Sequence, residues 1–480
     1  MEKVPEYYFL VGGEWRTNPE PFEIRFPYTG EVVALVHRAG PKDLDEAAEI
    51  AARAFEITRK MSAEKRSRIL STLANQIEDQ AAALTETLVL EGGKTHTFAT
   101  LEVRRAAMTL RTSAEEARRI DGEVIPLDWT RDTEGRFGIT RRFPAGPVLG
   151  ITPFNFPLNL ACHKLGPAVA AGNSLILKPA SATPVSSLLL AEMVLSAGLP
   201  REALSVLPCA GEVAERLVQD PRIAVLTFTG SPEVGWRLKE KAGRKKVTLE
   251  LGGNAAVIVH CDGALAHATS RIVTGGYTNA GQVCISVQRV FLHTDIYDEA
   301  LSLIQQKVTA LRTGDPREDT TDVGPMISIA AAERAQHLVN EAVKGGARLL
   351  YGGTHTGSLF FPTILTDTQP SMGVECEEVF APIITVTRYE DFDEALALAS
   401  KSAYGLQLGV FTRDISRILR AFEDSEVGGV VINDIPTFRV DHMPYGGVKG
   451  SGTGKEGPRY AIREMTDERL LILNTKEEQP

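Results

Sequence analysis

The sequence predicts an α/β protein built as two α/β halves with parallel sheets and a small separate β element. Three observations carry this reading. Short β-rich runs alternate with amphipathic helical stretches from Pro147 onward; a second alternating set starts near Gly253; and two strand-like segments belong to neither set. Strands that alternate with helices imply βαβ units and parallel sheets.

In the first set, "PVLGITPF" precedes the helical "ACHKLGPAVAA" and "NSLILKP" precedes "PVSSLLLAEMVLSAG". "LSVLPC" then leads into "GEVAERLVQ", "IAVLTF" into "PEVGWRLKEKAG", and "VTLEL" closes the set. The second set runs through "AAVIVH", a helix over Ala264 to Tyr277, "QRVFLHT", a helix near Ile296 to Leu311, "APIITVTRY", "DEALALAS", "LGVFT" and "GGVVIN". The segments left over are "GEVIPLDWTRDTEGRFGITRRFP", which reads as a hairpin with a charged turn, and "TDERLLILN", a lone strand. An open strand edge invites pairing with another chain, so a homo-oligomer is expected.

A chain of 480 residues exceeds one ordinary core, and a 43% hydrophobic, 24% charged composition is that of a soluble globular protein. The net charge of −10 is spread along the chain without a Lys/Arg block, which argues against a nucleic-acid partner. The start has no basic stretch followed by an apolar one, and no uncharged apolar run is long enough to span a bilayer, so a cytoplasmic protein without membrane contact is expected. The five cysteines, Cys162, Cys209, Cys261, Cys284 and Cys376, lack CxxC or Cys/His spacing. That argues for free thiols and no metal.

Several short motifs could carry chemistry. "LEGGKT" has Leu88 where a phosphate loop needs its first glycine, so it reads as a helix C-cap. "FTGSPEVG" lies between a strand and a helix: Gly230 permits a tight turn, Ser231 offers a hydroxyl, and the helix N-terminus offers free N–H groups to a pyrophosphate. An ordinary βα turn would look the same. Glu250 in "LELGGN" fits either a partly buried general base or a solvated strand-end carboxylate. Asn155 in "PFNFP" fits an oxyanion donor or a turn asparagine. Cys284 in "GQVC" sits among small and polar residues at a loop junction, where a thiolate can be stabilised. Cys162 and Cys209 fall within apolar elements.

Taken in order, "PFNFP", "LKPAS", "FTGSPEVG", "LELGGN", "GQVC", "EEVFAP" and "MPYGGVKGSG" resemble the NAD(P)-dependent aldehyde dehydrogenase superfamily over nearly the whole chain. The resemblance implies Cys284 as nucleophile, Glu250 as general base, and Asn155 with the Cys284 backbone N–H as oxyanion hole. It implies Lys178 at the adenosine ribose, Ser231 beside Gly230 at the pyrophosphate, and Glu378 at the nicotinamide ribose with Phe380 beside it. The fold it implies has a Rossmann-like cofactor-binding domain, expected over 1–120 and 143–252, an α/β catalytic domain over 253–450, and an oligomerisation hairpin and C-terminal strand over 121–142 and 464–480; the cofactor it implies is NAD or NADP, the assembly a homodimer or homotetramer. Two positions depart from the commoner pattern. Ser181 stands where many NAD-preferring members carry glutamate, which leaves NADP open, and Ala381 replaces a glycine.

The implied reaction is oxidation of an aldehyde to its acid through a thiohemiacetal and a thioester, the latter cleaved by water that Glu250 activates. A CoA-acylating semialdehyde dehydrogenase would share most motifs but would not need Glu250. A non-catalytic protein on the same fold would be free to lose these residues. For the substrate, Val283, Ile285 and Phe156 suggest a narrow apolar tunnel, while Arg439, Asp441 and His442 are expected near its mouth. The C-terminal region is most similar to the branch holding lactaldehyde, phosphonoacetaldehyde and non-phosphorylating glyceraldehyde-3-phosphate dehydrogenases, which implies a small polar or anionic aldehyde. Arg439 is the expected reader of the anion, with an ion pair to Asp441 or a solvated loop position as the alternatives.

Overall fold

The computed structural model describes residues 4–476. The outermost parts of the segments expected over 1–120 and 464–480, namely 1–3 and 477–480, lie outside the described residues. The apolar runs of the first set become five parallel strands: Val148–Ile151, Leu175–Lys178, Leu204–Val206, Val225–Thr229 and Lys246–Glu250. The first three are buried at every position, as expected where both faces of a parallel sheet are covered. Val148–Ile151 is central. The chain first builds outward on one side through Leu175–Lys178 and Leu204–Val206, then returns to lay Val225–Thr229 on the other side. The order therefore reverses between Val148–Ile151 and Val225–Thr229, and the carboxyl ends of such a pair open a crevice.

Antiparallel strands close both edges of this sheet. Phe9–Val11 pairs with Leu204–Val206 and is followed by Glu14–Arg16, and Gly452–Thr453 pairs with Lys246–Glu250. On one face the helix Pro157–Ala171 is buried along its whole length, packed against the helix His96–Glu116.

The second set forms a sheet in the order Arg348–Tyr351, Thr363–Thr366, Ile383–Tyr389, Val287–His293, Ala255–Val259, Gln407–Phe411, Gly429–Ile432. All neighbours are parallel except the first pair. Its helix Leu265–Tyr277 spans nearly the expected range, and Tyr297–Thr309 lies within the one expected near 296–311. Val124–Pro126, Arg136–Pro144 and Thr466–Asn474 make a separate antiparallel sheet in which the last strand pairs from Thr466↔Pro144 to Asn474↔Arg136. The pair of glycines in "LEGGKT" ends the helix Ala81–Gly92, with Gly93 left-handed at φ 67°. No described helix is long and apolar enough to cross a membrane.

The two large sheets meet through opposite ends. Asn155, Gly230 and Glu250 sit at or just beyond the carboxyl ends of first-sheet strands, whereas Gly253, Cys284 and Phe380 precede the amino ends of second-sheet strands. A cavity of about 1170 Å³ lies between them.

Candidate active site

Cys284 lies on the short connection between the helix Leu265–Tyr277 and the strand Val287–His293. The backbone there turns left-handed at three successive residues, Asn279, Ala280 and Gly281, with φ of 51°, 54° and 69°. A Cβ on Gly281 would stand 2.1 Å from the Ala381 carbonyl oxygen, so only glycine fits against that segment. Gly253 is pressed equally close, since a Cβ there would stand 2.1 Å from the Cys284 carbonyl oxygen. The Asn155 Nδ2 donates to the Gln282 carbonyl at 2.9 Å, which ties the loop after Val148–Ile151 to the cysteine loop. One amide hydrogen of Asn155 remains, and the Cys284 backbone N–H has no protein acceptor among the described residues.

The thiol is set in an apolar cluster of Val283, Ile285, Leu406 and Tyr445, flanked by Phe156 and Met443. Its Sγ is 2.8 Å from the Tyr445 hydroxyl. Burial pushes the thiol up to about 12, while the Tyr445 hydrogen bond and the positive charge of Arg439 pull it down.

Glu250 is 2% exposed, and neither carboxylate oxygen has a protein partner. The reading of it as a solvated strand-end residue is therefore excluded. Burial first, and then the negative charge of Glu456, hold its carboxyl well above the usual carboxylate range against the pull of Lys164, Arg439 and Lys455. Glu456 behaves oppositely: burial opposes its ionisation, but Lys164 at 2.5 Å, Arg439 and His163 overcome that and keep it far below the usual range.

Arg439 pairs with Glu456 at 2.9 Å, not with Asp441 as the sequence alternative had it, and its guanidinium lies 3.8 Å from the Tyr445 ring centre. Asp441 instead accepts from Arg105 at 2.8 and 3.1 Å and contacts His163 at 2.9 Å. The Arg439 Nε is buried without a partner. Arg439 is joined at the cavity by the helix His96–Glu116, which carries Arg104 and Arg105 into the wall with Phe98, Leu101 and Met108. Arg105 was not legible because its helix bears no chemical motif; its only signal was the adjacent pair "RR" beside an apolar stripe. Tyr445 lies within the quoted "MPYGG", but nothing in that string marks its hydroxyl.

Of the residues expected from sequence, Cys284, Glu250, Asn155, Phe156, Val283, Ile285, Gly230, Ser231, Glu378, Phe380 and Arg439 all line this one cavity. Lys178 and Ser181 do not; they lie at the carboxyl end of Leu175–Lys178, where the Ser181 hydroxyl faces the Cys209 carbonyl at 3.5 Å. Lys178 is nearly buried, and burial lowers its ammonium. The arrangement fits a dinucleotide. The helix Pro232–Lys241 opens at Ser231, whose hydroxyl makes no capping bond, so the first-turn N–H groups and the hydroxyl are available to phosphate oxygens. Glu378 accepts from the Gly253 N–H at 3.0 Å through one oxygen, and burial raises its carboxyl to about 7. Phe380 meets Phe154 edge to face at 5.9 Å beside it.

Residues 15–471 match the sequence model of the aldehyde dehydrogenase family. The chain is 45% identical over 475 residues to 3-sulfolactaldehyde dehydrogenase of Priestia aryabhattai, covering 99% of both. The crystal structure of aldehyde dehydrogenase 21 from Physcomitrella patens, in complex with the reaction product succinate, superposes with a TM-score of 0.97 at 39% identity, over 99% of this chain and all of that one. Glyceraldehyde-3-phosphate dehydrogenase GapN from Methanocaldococcus jannaschii, complexed with NADP, gives 0.92 at 37% identity, over 95% of this chain and 100% of that one.

Proposed function

Because this chain belongs to the aldehyde dehydrogenase family and is an NAD(P)-dependent enzyme that oxidises an aldehyde, we propose that its substrate is a small aldehyde carrying an anionic group. We propose with it that Cys284, Glu250 and Asn155 perform the chemistry. The observation that carries the reading is the placement of one thiol, one unpartnered buried carboxylate and a cluster of arginines around a single cavity.

The Cys284 thiol gives up its proton to solvent and the sulfur attacks the carbonyl carbon, the C=O π pair moving to oxygen to give the thiohemiacetal oxyanion. The oxyanion takes hydrogen bonds from the remaining Asn155 amide hydrogen and the unused Cys284 N–H. When bound, the nicotinamide supplies the acceptor for the hydride that the tetrahedral carbon releases. Collapse of the oxyanion leaves a thioester on Cys284, and Glu250 takes a proton from the water that cleaves it. A carboxyl raised by burial is suited to this step, because its conjugate base is stronger than that of an exposed glutamate. The free helix N-terminus at Ser231, with Glu378 and Phe380 opposite, would hold the dinucleotide. Ser181 supports the use of NADP as well as NAD, since no carboxylate there opposes a 2′-phosphate.

The anion is assigned to Arg439 and Arg105. Arg439 keeps an unpaired buried N–H beside the thiol's cluster, and Arg105 lies across Phe156 with its guanidinium 5.8 Å from the ring centre. A planar guanidinium fork suits sulfonate, phosphate and carboxylate alike. The compared proteins fit this class, as their named substrates or product carry a sulfonate, a phosphate or a second carboxylate. Sulfolactaldehyde and lactaldehyde differ only by the sulfonate and form a matched pair. Arg105→Gln should lower kcat/KM for sulfolactaldehyde by roughly ten- to hundred-fold, the loss of one charge-assisted contact of about 1.5–3 kcal/mol, and leave lactaldehyde nearly unchanged. Equal losses on both aldehydes would make Arg105 a positioning residue for Asp441 and remove it from the anion site.

The same reading includes assembly as a dimer or tetramer through the strand Thr466–Asn474. Its Leu470, Leu471, Ile472 and Leu473 all stand exposed in the single chain, as does Trp129 in the hairpin turn. The strand is also the open edge of its sheet.

A further inference from the structure

The opposite end of the second sheet carries a cluster that this chemistry does not use. His260 and Cys261 follow the strand Ala255–Val259, and His293 ends the adjacent parallel strand Val287–His293. Their candidate ligand atoms all lie within 4.8 Å of one another. The two imidazole centres are 4.6 Å apart, edge to face. Cys284 and Gly253 lie before the other ends of the same two strands, so the cluster is roughly 15–20 Å from the catalytic cavity along the strands.

We propose that His260, Cys261 and His293 form a binding site for a borderline-soft divalent cation of the zinc type, separate from the aldehyde site. Two imidazoles and one thiolate are the donor set such ions prefer, with a fourth position open to water or to a carboxylate. The hydrogen bonds prepare His260 for this role. The Tyr389 hydroxyl is 3.0 Å from His260 Nδ1 and donates to the Val259 carbonyl at 3.3 Å, so it accepts from the ring. The proton then sits on Nδ1, and Nε2, which has no protein partner among the described residues, presents a lone pair. His260 is buried, Cys261 exposed and His293 between, which makes a shallow site with a buried floor and one arm reachable from solvent.

The charges around the cluster are compatible with a cation. Asp262 is occupied by the Thr412 hydroxyl, the Arg413 N–H and Arg417, so Arg417 is the nearby positive charge and is already paired. His293 Nδ1 accepts from the Asp295 backbone N–H at 3.2 Å and lies 3.5 Å from the mostly exposed Asp295 carboxylate, so His293 ligates through Nε2, its ring proton moving to Nδ1 to face that carboxylate. Tetrahedral zinc with bonds of about 2.0–2.3 Å places its ligand atoms about 3.4–3.8 Å apart. The cluster thus closes by about an ångström on binding, a movement that the exposed Cys261 side chain can supply. The thiol proton is released to solvent as the Zn–S bond forms.

The test is a zinc titration against a chromophoric chelator, using the Cys284→Ala chain so that the catalytic thiol cannot contribute. One equivalent should bind per chain, and both Cys261→Ser and His293→Asn in that background should weaken it by at least about tenfold. Cobalt(II) in place of zinc should give a thiolate-to-metal charge-transfer band that Cys261→Ser abolishes. Absence of stoichiometric binding, or binding and a cobalt band unchanged by Cys261→Ser, would overturn the assignment. Neither readout depends on turnover, so the result is independent of the aldehyde chemistry.

Discussion

At Cys284 the apolar wall and the polar contacts act in opposite directions. Burial among Val283, Ile285 and Phe156 disfavours a charged sulfur, while the Tyr445 hydroxyl and Arg439 favour it, and burial wins with a thiol at about 12. The cysteine of the free enzyme is thus a neutral thiol at pH 7, and its thiolate fraction rises tenfold per pH unit up to that value. Site-resolved mass spectrometry of iodoacetamide labelling should show the Cys284 rate climbing steadily from pH 7 to pH 10. Tyr445→Phe, which removes a hydrogen bond that lowers the thiol, should slow labelling at every pH in that range. A labelling rate that levels off near pH 7 would contradict the picture of a neutral resting thiol. The sequence marked Cys284 by its small, polar surroundings but could not give its acidity, because the groups that set it, Tyr445 and Arg439, are more than 150 residues away. The alternative it offered for Arg439, an ion pair with Asp441, fails for the same reason: Asp441 is near in sequence, whereas Glu456 reaches the guanidinium only through the fold.

Among the elements, those with an apolar period were legible and those defined by a distant partner were not. The parallel strands and their helices fall where the alternation predicts, since a buried strand announces itself as a short apolar run. The two-residue strand Gly452–Thr453 has no such run and exists only because Lys246–Glu250 offers an open edge. The lone strand Thr466–Asn474 was legible as a strand, and its pairing with Arg136–Pro144 accounts for both leftover segments at once. Its apolar side chains are exposed on both faces, an arrangement that water does not favour and another copy of the chain would cover. Replacing Leu471 and Ile472 together by Asp should therefore reduce the sedimenting species to the mass of one chain. A wild-type protein that already sediments as one chain would remove this role from the strand.

Across the whole molecule, the site exists because two parallel sheets meet with opposite polarity. The first presents carboxyl ends bearing Asn155, Ser231 and Glu250, and the second presents amino ends bearing Cys284 and Glu378. Sequence order alone could assign these residues to two halves but could not show that the halves face each other across one cavity. The same parallel pairing carries His260, Cys261 and His293 to the far end of the second sheet, where no local Cys/His spacing would have revealed them. In the proposed chemistry Cys284 becomes acylated and Glu250 releases the acyl group. The most direct measurement is intact and peptide mass spectrometry of Glu250→Gln quenched after brief exposure to NADP and sulfolactaldehyde. The variant should give one equivalent of reduced cofactor per active chain, followed by slow turnover, and the added mass of the sulfolactyl group on Cys284. Normal steady turnover with Cys284 unmodified would contradict this chemistry.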